Sequence, residues 1–303
     1  MKKLVVRLKG GLGNQLFCYA AARRLATINY ADLALDAVSG FKYDYQYRRS
    51  FALAPFSISA RYAHWSERME PFGRIRRYVA RQNSSRLPFR ERRYIQQVGV
   101  QFEPELLELK LQDGITYFDG FGQSEEYFID VEKMIRNDLV MKTPSDPRTF
   151  GISKLILKSP TVALHVRWFD ATPSAHWLDR VRAYYISGVA TIRALEPDAK
   201  FMVFSDRIDQ TRDLLRSLFL NESDGAFMYQ VEPLSAASDM WLMRQCRHFI
   251  ISDSTFAWWA AWLAEGRESP TRVIAPGWIV HPESSATAWG FPGLLPNRWT
   301  VWK

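Results

Sequence analysis

Residues 161–170 read TVALHVRWFD, an apolar run that ends in polar and charged side chains. Thr161 to Val166 predict a buried strand, and Trp177 to Leu195 predict the helix that follows it. The same alternation continues with KFMVFS (200–205), a helix at 210–219, a helix at 237–246, HFIIS (248–252), a helix at 255–264 and RVIA (272–275). Strands that alternate with helices imply a parallel sheet with crossover connections.

The N-terminal half begins with the same pattern. It predicts a strand at 4–8, a helix at about 15–27 and a strand at 32–36. Residues 142–160 contain three prolines, a glycine and several serines and predict the boundary between two domains. We therefore expect an α/β fold of two Rossmann-like domains that face each other across a cleft. The expected N-terminal domain is 1–150, and the expected C-terminal domain is 151–303.

Composition excludes several classes of protein. No apolar run is long enough to cross a bilayer, and the start of the chain does not resemble a signal peptide. Cys18 and Cys246 are far apart and lack the spacing of a metal site or a disulfide framework, which favours a reducing compartment. We expect a cytoplasmic protein.

The net charge of +8 is concentrated in one segment. Between Arg61 and Arg93 there are ten arginines against three acidic residues, and aromatic residues are interleaved with them. Three interpretations remain open: a solvated basic helix pair, a surface that docks peripherally on an anionic membrane at its inner face, or nucleic-acid binding. Because no nucleic-acid module motif accompanies the segment, we do not expect nucleic acid as a partner.

Polar clusters follow four of the predicted strands. They are Gly10–Gln15, His165–Asp170, Ser205–Arg207 and Ser252–Phe256. In open parallel sheets, ligands bind at the carboxyl ends of the strands. We therefore expect these clusters to form a ligand site.

The residue types in these clusters suit a nucleotide diphosphate. Arg167 has the forked donors that bind phosphate, although a surface bridge to Asp170 is an alternative. Asp206 can accept from a base or a ribose, or it can cap the next helix. Ser254 and Thr255 open a helix whose N-terminus attracts anions, or they simply cap that helix.

A metal ion is not expected at this site. The sequence has no Asp-x-Asp motif, and its five histidines have no metal-ligand spacing. Arg167 and the helix that begins near Ser254 would neutralise the leaving diphosphate instead. We expect no cofactor.

Five blocks of the sequence resemble the bacterial α-1,2-fucosyltransferase family in order and spacing. They are GGLGNQLFCYAAARRLA, FDGFGQSEEYF, HVRWFD, VFSD and CRHFIISDSTFAWWAAWL. The chain is more distantly similar to α-1,6- and protein O-fucosyltransferases, which share the H-x-R motif. The resemblance implies a metal-independent, inverting enzyme of the glycosyltransferase-B architecture, a galactoside α-1,2-fucosyltransferase of surface polysaccharide or oligosaccharide synthesis. Its co-substrates would be GDP-β-L-fucose and a galactose-terminated glycan.

The resemblance also implies roles for individual residues. Arg167 would hold the β-phosphate, Asp206 the guanine, and Asn14 the reacting groups. The implied catalytic residues are Arg167, Asp170 and Asn14. The implied donor-binding residues are Gly11, Gly13, His165, Arg167, Ser205, Asp206, Ser254, Thr255 and Phe256, and the implied acceptor-binding residues are Gln123 and Glu125. The candidates for the catalytic base are Asp170, Glu125 and Asp36, with Asp170 ranked first.

The chain departs from the family at one motif. The usual sequence H-V-R-R-G-D-Y is replaced by His165-Val166-Arg167-Trp168-Phe169-Asp170-Ala171. An alternative is therefore the same scaffold with another fucosyl linkage or another nucleotide sugar. A non-catalytic nucleotide- or RNA-binding protein is an alternative of a different class. It would explain the arginine-rich segment but not the polar clusters at four strand ends.

Overall fold

The chain divides into two compact units in the computed structural model, which describes residues 1–168, 174–219, 226–229, 234–266, 270–279 and 288–303. The first unit is Met1–Lys142 with Ile279–Leu294, and the second is Thr143–Trp278 with Leu295–Lys303. This division differs from the expected 1–150 and 151–303 at residues 143–150 and 279–294. Each unit has its own parallel sheet with helices, which confirms the predicted α/β class.

The first unit is organised around a parallel sheet. Its described strands are β1 (Lys2–Arg7), β2 (Asp32–Asp36), β3 (Arg61–Tyr62), β4 (Tyr94–Gln96) and β5 (Gly114–Asp119). Their order is β3-β2-β1-β5-β4, and every neighbouring pair is parallel. The described helices are α1 (Leu12–Ile28), α2 (Gly73–Ser85), α3 (Glu105–Glu108) and α4 (Glu132–Asp138), with 3-10 turns at Phe89–Glu91, Glu125–Tyr127 and Ile129–Val131.

The second unit follows the same plan with a wider sheet. Its described strands are β6 (Thr161–Val166), β7 (Lys200–Ser205), β8 (Phe227–Tyr229), β9 (His248–Ile250), β10 (Val273–Pro276) and β11 (Thr300–Trp302). Their order is β11-β10-β9-β6-β7-β8, again all parallel. The described helices are α5 (Pro147–Ile156), α6 (Ala175–Leu195), α7 (Ile208–Leu218), α8 (Ala236–Met243) and α9 (Thr255–Ala264). Within the described ranges, no helix is both long and apolar enough to cross a membrane.

The predicted boundary region at 142–160 contains the division between the two units, which falls between Lys142 and Thr143. Most of the region is helix α5 and not an irregular segment. Pro147 is at the start of this helix, where a missing N–H costs no hydrogen bond. The carboxylate of Asp146 accepts from the backbone N–H groups of Arg148 and Thr149 at 3.3 and 3.0 Å. Proline and a capping residue here start a helix instead of interrupting one.

Helix α9 is buried along most of its length. Trp258, Trp259 and Trp262 are fully buried and contact one another, so these tryptophans belong to the core. The Tyr184 hydroxyl of α6 donates to the carbonyl of Ile251 at 2.5 Å and also lies 2.9 Å from the carbonyl of Ile274. Packing and this hydrogen bonding fix the start of α9 against the sheet.

Two buried carboxylates organise the carboxyl edge of the first sheet. Asp119, at the end of β5, lies 3.0 Å from Arg7 Nη1 and 2.7 Å from Lys9 Nζ, and it accepts from Tyr94 Oη at 2.9 Å. Burial would raise the pKa of Asp119, but the charges of Lys9 and Arg7 lower it to about 2. Asp119 therefore remains ionised and fixes the positions of the two cations.

The second carboxylate is Asp36, at the end of β2. It is fully buried and accepts from the Ser39 N–H at 2.9 Å, from the Ser39 hydroxyl and from the Tyr117 hydroxyl. An enclosed carboxylate with this many donors fixes the structure of the strand end. The geometry gives Asp36 a structural role, so we do not carry it forward as a proposed catalytic base.

We predict that Gly40→Ala destabilises the protein strongly. A Cβ atom at Gly40 would lie 1.9 Å from the backbone oxygen of Leu8, so backbone must move at the end of β1. Gly151→Ala is the matched control, because a Cβ there has nothing within 4 Å and alanine favours helix α5. Thermal unfolding should show a loss of several degrees for Gly40→Ala and no loss for Gly151→Ala. Equal melting temperatures for the two variants would contradict the close approach.

Candidate active site

The pairing of β6 with β7 brings two of the predicted site residues together. Val166 is opposite Ser205 in the parallel register, so Arg167 and Asp206 leave their strands side by side. Arg167 Nη1 lies 3.1 Å from Asp206 Oδ2, and the Trp168 N–H donates to Asp206 Oδ1 at 3.1 Å. Asp206 is therefore not the cap of α7; the N-cap position belongs to Arg207. The pair holds a guanidinium at the carboxyl edge of the sheet.

Trp168 is fixed at the motif that departs from the family. Its indole Nε1–H donates to Thr211 Oγ1 of α7 at 2.7 Å, and that hydroxyl lies 2.8 Å from Ser205 Oγ. Ser205 Oγ also accepts from the Arg207 N–H at 3.1 Å. Ser205, which the resemblance places in the donor site, is thus engaged in holding β7 against α7. Thr211 lies outside the polar clusters at the strand ends, so the sequence did not identify it.

His165 is a buried, neutral side chain at the end of β6. Its Nδ1 lies 2.8 Å from Ser252 Oγ, and its ring centroid is 5.9 Å from that of Phe256. Burial, together with the nearby charge of Arg167, lowers the pKa of His165 to about 3. The imidazole can therefore hydrogen-bond to a ligand near neutral pH but does not contribute a positive charge.

The N-terminus of α9 lacks a side-chain cap. Ser254 is the N-cap residue, yet its side chain makes no capping hydrogen bond, and the first turn contains no acidic residue. The first N–H groups of a helix have no partner within the helix, and they favour an anion. The alternative in which Ser254 and Thr255 merely cap the helix is therefore not supported for Ser254. Phe256, in the same turn, is placed beside His165.

Asp253 is a further candidate for the ligand site, and its residue type alone did not mark it. The Trp278 Nε1–H donates to its Oδ2 at 3.3 Å. Burial raises the pKa of Asp253 to about 6, although this hydrogen bond and the charge of Arg167 oppose the effect. Asp253 lies one residue before the N-cap of α9 and belongs to the predicted polar cluster Ser252–Phe256. The sequence of this cluster does not show that the carboxyl group of Asp253 is buried.

The glycine-rich loop lies at the carboxyl edge of the first sheet. Gly10 has a φ of +75°, and a Cβ there would lie 2.7 Å from Asn14 Nδ2, so only glycine fits. Gly11 is the N-cap of α1 with nothing within 4 Å of a Cβ, and Gly13 is in the first turn of that helix. The loop therefore combines one glycine required by the backbone with one that leaves open space.

Asn14 and Gln123 form a buried pair in the first unit. Gln123 Nε2 donates to Asn14 Oδ1 at 2.8 Å. Within the described residues, the buried Oε1 of Gln123 has no hydrogen-bond partner. A buried acceptor without a donor is costly, so this oxygen is suited to a ligand hydroxyl. Gln15, in contrast, is satisfied by Gly10, Ser50 and Ala52 and has a structural role.

The structure says little about the remaining predicted site residues. Glu125 begins the 3-10 turn Glu125–Tyr127 and is partly exposed. Asp170, the first-ranked base, and Phe169 lie outside the described residues. No group of His, Cys, Asp and Glu side chains suited to a metal ion occurs in the described part of the chain.

Comparison with known proteins assigns the family. The model of "Glycosyl transferase family 11" matches residues 3–285, which is nearly the whole chain. The chain belongs to glycosyl transferase family 11. This confirms the family that the five motif blocks indicated.

Curated relatives of this family 11 glycosyltransferase come from Escherichia coli. An α-1,2-colitosyltransferase is 28% identical, with 87% of this chain and 88% of the relative covered. The O-antigen biosynthesis glycosyltransferase WbnK is 27% identical, with coverages of 84% and 88%.

Solved structures show the same fold. The NodZ α-1,6-fucosyltransferase soaked with GDP-fucose has a TM-score of 0.51 and 19% identity, with 86% of this chain and 92% of that chain covered. A variant of FUT1 from Arabidopsis thaliana in complex with GDP has a TM-score of 0.53 and 12% identity, with coverages of 100% and 77%. Together with the two parallel sheets, these neighbours confirm the glycosyltransferase-B fold class of the family 11 chain.

We predict that Asp253→Asn stabilises the glycosyltransferase at pH 8 but not at pH 4. The folded-state pKa of Asp253 is above its unfolded value, so its stabilising contribution is complete below about pH 4 and is lost as the pH rises through about 6. The difference between the two pKa values corresponds to at most about 3 kcal/mol.

Melting temperatures of both proteins from pH 4 to 8 measure this difference, because other groups titrate equally in the two. Asp179→Asn, which removes an exposed carboxylate from α6, is the control. Parallel curves for wild type and Asp253→Asn would show that the Asp253 carboxyl is not desolvated.

Proposed function

We propose that the protein transfers L-fucose from GDP-β-L-fucose to O2 of a galactoside, with inversion and without a metal ion. The observation that carries this proposal is that Arg167, Asp206 and the uncapped N-terminus of α9 follow three neighbouring strands at the carboxyl ends of the second sheet. A guanidinium and free helix N–H groups suit a diphosphate, and a carboxylate suits guanine. Family membership supplies the transfer chemistry, and the motif resemblance supplies fucose and the linkage.

The donor would be held by groups that act on its two ends. Asp206 Oδ2 pairs with Arg167 and Oδ1 accepts from the Trp168 N–H, and the lone pairs of a carboxylate can also accept from the N1–H and N2–H₂ groups of guanine. The α9 N-terminus and Arg167 would bind the diphosphate, and neutral His165 would contact the ribose or a phosphate. Uracil offers one donor at the corresponding edge, so a uridine donor would leave part of Asp206 unpaired.

In the proposed reaction, the acceptor hydroxyl attacks the anomeric carbon as the bond to the β-phosphate oxygen breaks. The departing GDP takes the electron pair, and Arg167 with the helix N-terminus offsets the developing charge. The acceptor proton passes to a base. Asp170 and Glu125 remain the proposed bases, while Asn14 and Gln123 are proposed to orient the reacting sugars.

A second donor deserves a direct comparison, because the 28% identical relative is named an α-1,2-colitosyltransferase. Colitose is L-fucose without its 3-hydroxyl group, so the same nucleotide contacts would serve both donors. Other fucosyl linkages also remain alternatives, since Trp168 replaces the usual second arginine. Family membership favours a transferase over a non-catalytic nucleotide- or RNA-binding protein.

A role in surface glycan synthesis at the cytoplasmic face of a membrane is part of the proposal. The O-antigen function named for the other curated relative supports it. The structure reduces the charge available for docking on anionic lipid, because some arginines of the 61–93 segment bind within the fold. Arg61 pairs with Asp32 and Glu67, and Arg77 donates to the carbonyl of Arg68.

We predict that GDP-fucose, or the GDP-activated colitose, is used well ahead of GDP-mannose and UDP-galactose. Mass spectrometry of reactions with galactoside acceptors, run in excess EDTA, measures donor use and metal dependence together. Product linkage analysis should give an α bond on O2 of galactose. Efficient transfer from the uridine donor would refute the guanine assignment, and activity restored only by Mn²⁺ would refute the metal-free mechanism.

We predict that Arg167→Ala lowers kcat/KM by about 100-fold or more, because losing one preorganised charge costs about 3 kcal/mol of transition-state stabilisation. Arg167→Lys should recover only part of this loss, since an ammonium lacks the fork of donors. Arg216→Ala, which removes an exposed arginine from α7, is the control. Turnover above about a tenth of wild type in a folded Arg167→Ala protein would exclude the proposed role.

A further inference from the structure

Helix α2 buries an arginine while it exposes apolar side chains. Arg77 is 7% exposed, whereas Ile75 and Tyr78 are 64% and 55% exposed. A surface helix normally turns its apolar stripe toward the core and its charges toward water. Helix α2 departs from this pattern at Arg77, and the exposed Arg74 and the partly exposed Arg81 lie on the same side of the helix.

These arginines line a pocket of about 470 Å³ in the first unit. Arg74, Arg77 and Arg81 are three and four residues apart, so they share one side of α2. Arg7 joins them from the end of β1, and Tyr43 and Tyr78 form part of the wall together with Tyr94 and Asp119. The volume is within the roughly 300–1,000 Å³ range of small-molecule sites.

The single carboxylate in this lining does not neutralise it. Both oxygens of Asp119 are already occupied, at 3.0 Å by Arg7 Nη1 and at 2.7 Å by Lys9 Nζ. Arg77 is partly offset by Glu70, whose Oε1 is 3.9 Å from Arg77 Nη1. Even with Glu70 counted, four arginines face two carboxylates, and one of these is shared with Lys9, so the pocket remains positive.

Arg74 and Arg81 carry the available charge. The guanidinium carbon of Arg74 is 5.4 Å from the centroid of Tyr43, and that of Arg81 is 5.3 Å from the centroid of Tyr78. No carboxylate in the described ranges lies within ion-pair distance of either side chain. Stacking uses the face of a guanidinium and leaves the N–H groups at its edge free to bind an anion.

We propose that this pocket binds an anionic sugar, namely a phosphate- or carboxylate-bearing part of the glycan acceptor. The arginines supply donors for the anion, and the tyrosine rings supply flat apolar faces for the sugar ring. Arg7 and Asp119 also place the pocket at the carboxyl edge of the sheet, where the Gly10–Gln15 loop begins. Only the identification of the ligand as the acceptor rests on the proposed function; binding of an anionic sugar is testable separately.

The test measures binding of galactose 1-phosphate, galactose and inorganic phosphate to the full-length protein by calorimetry. The double variant Arg74→Gln/Arg81→Gln should bind galactose 1-phosphate at least tenfold more weakly than wild type. The matched control is Arg76→Gln/Arg86→Gln, which removes two exposed charges from the same helix and its end without touching the pocket. Arg77 is left intact because its bond to the carbonyl of Arg68 supports the fold.

Each outcome decides the proposal. Weakened binding in the pocket variant alone, with unchanged melting temperature and unchanged stabilisation by GDP, supports it. Absent binding in the wild type, or equal weakening in both double variants, overturns it. Equal affinity for inorganic phosphate and galactose 1-phosphate would overturn the sugar part. If donor use fails as proposed but this binding pattern holds, the pocket stands while the proposed transfer reaction falls.

A lipid headgroup is the other source of the same anion. Vesicles of phosphatidylglycerol and of phosphatidylcholine distinguish it from a soluble acceptor. We expect the pocket variant and the control to lose equal, small amounts of binding to phosphatidylglycerol. Selective loss in Arg74→Gln/Arg81→Gln, without binding of galactose 1-phosphate by the wild type, would assign the pocket to lipid and overturn the acceptor proposal.

Discussion

The parallel direction of the strands is the constraint on which both units depend. Parallel strands end at one edge of a sheet, and the helices that follow them begin at that same edge. In the second unit this collects Arg167, Asp206 and the start of α9, although they are far apart in the sequence. In the first unit it collects the glycine-rich loop, Asp36 and Asp119. The loops after the strands supply the functional side chains, and the parallel direction of the strands places these loops next to one another.

The alternation of apolar strands and helices was enough to predict the second sheet closely, because fully buried parallel strands are continuous apolar runs. The domain boundary within 142–160 was recognised, but the helix in that region was not, because proline has opposite effects inside a helix and at its first position. Strands β4 and β11 were not recognised, because YIQ and TVW are short and lack the longer apolar run that marks the equally short β9. Their existence depends on neighbours in the sheet instead of on local sequence.

The residue types of the candidate site could be predicted, but their partners could not. The Arg167–Asp206 pair follows from the register of β6 and β7, which sequence alone does not fix. The neutral His165 and the raised pKa of Asp253 depend on desolvation, which is a property of the folded surroundings. The arginine-rich segment was counted as one surface, whereas folding divides it among internal bonds, a pocket wall and solvent-exposed positions.

The assignment of Ile279–Leu294 to the first unit has a consequence for producing the second unit separately. The second unit is discontinuous in sequence, because β11, which pairs with β10, follows this segment. A fragment of residues 143–278 would therefore expose the whole hydrogen-bonding edge of β10, including the backbone of Ile274 and Ala275. Bare strand edges promote association between chains. Recombinant production of this unit alone needs the later segment grafted on through a new turn.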